Sequence, residues 1–145
     1  MTAVRCGLVH DPIDTAAVLA DVGRAGAGAN VLFLGTTRGL TGDVVTRGLE
    51  YEAHEPLAEA RMRGLAEEAV KTFGLTACAV VHRLGSVPVG EASVAVATSA
   101  PHRREAFAGA EWLMERIKRA VPIWKCEEAE DGSRTWVHPD AEPGP

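Results

Sequence analysis

Lys118 and Lys125 lie in the stretch IKRAVPIWKCEE, residues 117–128, on either side of Pro122. Two ammonium groups brought to one pocket can stabilise a developing anion, and either can act as a nucleophile or a base. Upstream, His102, Arg103 and Arg104 open a helix-like segment. A helix N-terminus offers free backbone N–H groups and the positive end of the macrodipole. Basic residues there oppose the dipole unless an anion is bound. From His102 to Lys125 the chain carries six Lys or Arg against three Asp or Glu, although its net charge is −5. Arg38 sits in the loop GTTRGLTGD after an apolar run. It is either an anion ligand or a solvated arginine of a hairpin loop. No GK[ST] follows, so the loop is not a P-loop. Cys126 could carry sulfur or simply pack. His54, His82 and His138 show no metal-ligand spacing and read as structural or surface residues.

These side chains need elements to hold them. Residues 103–120 form a helical pattern ended by Pro122. At 100° per residue, Ala106, Phe107, Ala110, Leu113, Met114 and Ile117 make one apolar stripe, with Glu105, Trp112, Arg116 and Arg119 opposite. Arg103 projects within the stripe and Lys118 at its edge. Each either escapes to water along its aliphatic stem or stands as a cation against an apolar wall. They are 15 residues apart, about 22 Å at the helical rise, so one small ligand cannot reach both in one chain. An antiparallel pairing of two such helices would bring Arg103 of one near Lys118 of the other.

Elsewhere, VRCGLV, NVLFLG, RGLEYEA, LTACAVVHRLG and ASVAVATSA read as strands. Asp14 caps a helix through about residue 24. Pro56 opens a second helix that Gly74 ends. IWKCEE and RTWV read as a hairpin around Asp131 and Gly132. The expected order is β-α-β-β-α-β-β-α-β-β, which is α+β and not a doubly wound parallel sheet. Residues 1–137 are expected to form one domain and 138–145 a loose tail.

With 145 residues, 46% of them apolar, the chain can build a core without staples. Its acidity argues against nucleic-acid binding. Cys6, Cys78 and Cys126 are too few and too dispersed for a disulfide framework or a zinc site. The N-terminus lacks the pattern of a signal peptide and no run spans a membrane, so the cytoplasm is expected.

FLGTTR, LEYEAH, HRLGSVPVGEASV, APHRREAF and IKRAVPIWKCE occur in this order. Together they closely resemble the large, catalytic subunit of molybdopterin synthase, over residues 31–137. The resemblance implies a hammerhead-like α+β fold with mixed and antiparallel sheets, three helices and a C-terminal hairpin. It implies a homodimer in which each chain binds one small ubiquitin-like subunit through a Gly-Gly tail ending in a thiocarboxylate. Two sulfur atoms pass from that tail to cyclic pyranopterin monophosphate, and no cofactor or metal is implied. The family's substrate-binding positions fall on Thr36, Thr37, Arg38, His102, Arg103, Lys118, Lys125, Cys126 and Glu127. Lys118 and Lys125 take the catalytic roles, and His102 and Arg103 serve the neighbouring subunit's pocket. The chain departs from the family at GLTG after Arg38 and at His54. The competing reading from the residues alone is a non-catalytic dimer that binds a phosphorylated ligand or a partner's tail.

Overall fold

The structure, a computed structural model, describes residues 3–137. The elements are β1 (Val4–Val9), α1 (Thr15–Ala20), β2 (Ala29–Thr36), β3 (Leu40–Thr41), β4 (Val44–Ala53), α2 (Glu55–Phe73), β5 (Ala77–Arg83), β6 (Gly85–Pro88), β7 (Ala92–Ala100), α3 (Arg103–Ala120), β8 (Ile123–Ala129) and β9 (Arg134–Val137). The architecture is the expected α+β, with three helices and a β8–β9 hairpin. The expected tail at 138–145 and His138 lie outside the described residues.

One sheet has the order β1-β5-β7-β2; β1 and β5 are parallel and the other pairs antiparallel. All seven residues of β5 and eight of nine in β7 are buried, as befits central strands covered on both faces. Cys78, Val80, Val94 and Val96 face the main core with α2 and α3. Ala77, Ala79, Val81, Ala95 and Ala97 face Val18 and Val22 at α1. The second sheet has the order β3-β4-β8-β9, with β6 added beside β4.

The helices end where local chemistry ends them. Asp14 accepts a hydrogen bond from the Ala17 amide at 3.1 Å and starts α1. That helix stops at Ala20, short of the expected residue 24. The chain tightens to three-residue turns, Val22 N–H to Leu19 and Gly23 N–H to Ala20. Arg24 folds back on the carbonyls of Asp21 and Gly23, both at 2.8 Å. His54 caps α2, its Nδ1 facing the Leu57 amide at 3.4 Å. Gly74 closes α2 in the left-handed region at φ 65°, and the Leu75 amide reaches back to Val70.

The expected apolar stripe of α3 is rotated in the fold. Its buried residues are Ala106, Gly109, Ala110, Leu113 and Ile117, whereas Phe107 is 61% exposed. Trp112, expected on the solvent side, is half-buried and packs edge-on against Phe73 of α2, centroids 5.9 Å apart. Gly109 explains the rotation. A Cβ there would stand 3.0 Å from both methyl carbons of Leu75, so the bare glycine lets α3 press onto the segment after α2. Two short strands were not expected. β3 turns at Gly42, φ 60°, to pair Leu40 and Thr41 with Val45 and Val44. β6 lays SVP along β4.

Candidate active site

A cavity of about 330 Å³ opens at the seam between the two sheets and the C-terminal end of α3. Its walls are Phe33, Gly35 and Thr36 of β2, Leu49 and Tyr51 of β4, His82 of β5, Val94 of β7, Met114, Ile117 and Lys118 of α3, and Ile123, Lys125 and Glu127 of β8, with Arg38 from the loop.

Pro122 and Val121 put the two lysines on one cavity. Val121 is already extended (φ −94°, ψ 129°) while its N–H still bonds the Ile117 carbonyl, at 3.3 Å. The chain therefore passes from helix to strand without a loop. Strand alternation then turns Ile123, Lys125 and Glu127 to the cavity and Trp124, Cys126 and Glu128 away from it. The Lys125 ammonium sits 3.5 Å from a Glu127 carboxylate oxygen, its side chain 18% exposed. Lys118 is exposed, and among the described residues its ammonium has no ion-pair partner. Lys118, Lys125 and Arg38 face one carboxylate, Glu127, so the cavity is cationic in an acidic protein.

Gly35 lets β2 approach the cavity floor closely, since a Cβ there would stand 2.8 Å from a Val94 methyl. The register shifts between Gly35 and Thr36, and the chain swings out toward Arg38. Thr37 is the pivot: it is buried, its N–H donates to Glu91 at 3.0 Å, and its carbonyl accepts from Gly90 at 2.9 Å. Glu91 in turn holds the nearly buried Arg83 at 2.8 Å.

Of the residues expected in the site, Thr36, Arg38, Lys118, Lys125 and Glu127 share this cavity. Thr37 lies behind its rim. Cys126 is buried on the far face of the second sheet, opposite Glu50 and Trp136 in register. His102 and Arg103 are exposed at the other end of α3, about 22 Å from Lys118 along the helix. His82 was expected to be structural or at the surface; it is buried and lines the cavity. The signal that could have found it is a polar residue closing the apolar run ACAVV.

His82 is held firmly. Its Nδ1–H donates to the Arg83 carbonyl at 2.8 Å, and its ring meets Tyr51 edge-on, centroids 5.0 Å apart. Burial pushes its pKa down to about 4, only partly opposed by the bond to Arg83, so the ring is neutral at neutral pH. Burial likewise raises the Cys6 and Cys78 thiols to about 11 and about 12. They are core residues and not nucleophiles.

Residues 8–120 match the family described as MoaE protein. The chain belongs to the MoaE family. A relative from Emericella nidulans named molybdopterin synthase catalytic subunit is 43% identical over 129 residues, which are 89% of this chain and 66% of that relative. The chain thus spans just under two thirds of that relative's length. A Bacillus subtilis protein of the same name is 39% identical, covering 92% of this chain and 84% of its own length. The crystal structure of molybdopterin synthase from Staphylococcus aureus superposes with a TM-score of 0.85 at 36% identity, over 94% of this chain and 98% of that one. A complex of subunits 1 and 2 of molybdopterin-converting factor from Helicobacter pylori shares the fold, with a TM-score of 0.73 at 22% identity over 94% and 90% of the two chains.

Proposed function

We propose that this chain performs the sulfur transfer of molybdopterin synthase. The donor is the thiocarboxylated C-terminus of a small ubiquitin-like subunit, and the acceptor is cyclic pyranopterin monophosphate. The observation that carries the reading is the meeting of Lys118, Lys125 and Arg38 on one cavity. Three cations suit a substrate that carries a phosphate and a donor that carries a thiocarboxylate.

Each transfer forms a carbon–sulfur bond to the substrate in place of a carbon–oxygen bond, whose oxygen leaves with the phosphate ester or as water, and breaks the bond between that sulfur and the tail's carbonyl carbon. The acyl group passes to water, or first to the Lys118 amine and then to water, and leaves as a carboxylate. Lys118 is the central catalytic group because, among the described residues, its ammonium is not already paired with a carboxylate. It attracts the incoming tail and stabilises charge at the carbonyl. Lys125, steadied by Glu127, holds the half-sulfurated intermediate and assists proton transfer or loss of water. Arg38 anchors the phosphate, with Thr36 beside it. Two transfers require one small subunit to leave and a second to arrive while the intermediate stays bound.

His102 and Arg103 enter through a homodimer, in which they complete the neighbouring chain's cavity. The separation along α3 supports this, because one chain cannot bring them to its own Lys118. The chain acts as one catalytic domain, residues 1–137. The described residues include no helix long and apolar enough to cross a membrane, and we place the reaction in the cytoplasm. The test mixes the purified chain with the thiocarboxylated small subunit and substrate, and assays molybdopterin. Substrate binding without product, with the cognate small subunit present, would leave a binding module instead.

A further inference from the structure

We propose that His82 is a substrate-binding residue, whose Nε2 accepts a hydrogen bond from an N–H of the substrate's pterin ring. The inference rests on the substrate class proposed above and assigns recognition of its flat, nitrogen-rich head to the cavity floor.

Five observations converge on this atom. His82 is the penultimate residue of β5, on the strand face of Cys78 and Val80, and it lines the cavity. Its Nδ1 is committed as the donor to the Arg83 carbonyl at 2.8 Å, so in a neutral ring Nε2 keeps a free lone pair. The edge-on Tyr51 ring, at 71° between planes, fixes the imidazole orientation. Among the described residues, His82 makes no hydrogen bond besides that to Arg83. The depressed pKa, from burial, keeps Nε2 an acceptor at neutral pH.

The cavity's other groups make an acceptor valuable. Lys118, Lys125 and Arg38 can only donate. Glu127, the carboxylate among the lining residues, is already beside Lys125. A pterin presents donor N–H groups on its edge; the lining hydroxyls of Thr36, Thr41, Thr46, Ser93 and Tyr51 can either donate or accept, whereas the neutral His82 ring offers Nε2 as a fixed acceptor. A buried acceptor matched to such a donor discriminates strongly, because the mismatched pair leaves both groups unsatisfied. The rim cations then serve the phosphate and the floor serves the ring.

The experiment measures binding of cyclic pyranopterin monophosphate to the whole chain by calorimetry, with an unphosphorylated pterin and inorganic phosphate as competing probes. His82→Phe keeps an aromatic ring against Tyr51 and removes the acceptor; His82→Gln restores one. We expect His82→Phe to weaken substrate binding at least about tenfold. It should abolish competition by the unphosphorylated pterin, keep that by phosphate, and be partly rescued in His82→Gln. Affinity within twofold of the parent in folded His82→Phe overturns the assignment. A second measurement needs no variant: a pterin alkylated at its ring N–H groups should bind the parent chain at least about tenfold more weakly than the unmodified pterin, and equal affinity overturns it as well. A parent chain that makes molybdopterin while His82→Phe binds normally sinks this inference alone. A parent chain that binds no substrate sinks both readings.

Discussion

At the scale of single residues, Lys118 and Cys126 carry opposite expectations. Lys118→Ala should lower product formation at least about a hundredfold and shift stability by less than about 0.5 kcal/mol, because the side chain is exposed. Turnover near that of the parent in the product assay removes the catalytic role. Cys126→Ser should keep turnover within about twofold while costing about 1 kcal/mol for burying a hydroxyl. Loss of turnover in a folded Cys126→Ser would instead make the thiol a sulfur carrier. His82 adds a pH dependence. Its folded pKa, about 4, lies below the ordinary 6.5, so below pH 6.5 the unfolded chain takes up the proton first. Its contribution is intact above pH 6.5 and lost as pH falls toward 4, a difference of roughly 3 kcal/mol. Denaturant titrations across this window should show a slope that His82→Phe flattens. The sequence pattern picked out Lys118 by its angle beside Phe107, yet Phe107 is itself exposed. What sets Lys118 apart is the cavity at its feet, which arises from β4 and β8 and has no signature in the helix. The place of His82 in the cavity is hidden because its neighbours across the seam, such as Tyr51 and Lys125, are distant in sequence.

At the scale of elements, α3 is the beam that presents Lys118, and Gly109 is where the beam is clamped. Gly109→Val forces branched carbons into the Leu75 methyl groups and should cost about 1–3 kcal/mol by overpacking. It should also lower turnover by displacing the C-terminal half of α3. Thermal unfolding and the product assay read both effects; unchanged stability would mean Leu75 yields freely. The long elements were legible because their patterns are self-contained. Asp14 and Gly74 supply caps, Pro101 and Pro122 bracket α3, and β5 and β7 are continuous apolar runs. β3 and β6 were not, since Leu40–Thr41 and Gly85–Pro88 are strands only by virtue of β4 beside them. The rotation of α3 was hidden too: a count of apolar residues at 100° steps weights Phe107 above Gly109, whereas packing against Leu75 rewards the smallest residue.

At the scale of the whole molecule, the proposed site belongs to two chains. His102→Ala and Lys118→Ala should each be nearly inactive alone. Mixed and re-associated, they should regain activity, because each mixed dimer holds one undamaged cavity and one doubly damaged one. Random pairing then makes about a quarter of all cavities whole. The product assay on the mixture checks this; no recovery, with exchange of chains confirmed, would confine each site to one chain. The composition carried little of this, since a net charge of −5 conceals a cavity lined by three cations.

In such a dimer α3 has a second consequence. Its eighteen residues form one stiff rod, with Lys118 at the mouth of its own cavity and His102 and Arg103 at the mouth of the neighbour's. A rod does not bend to suit one end while the other stays still. A tilt at the lysine end would lever the basic pair at the far end, and the companion helix would return the motion. The two cavities of the proposed dimer would then be geared together, and a half-loaded dimer would be a mechanical state of its own.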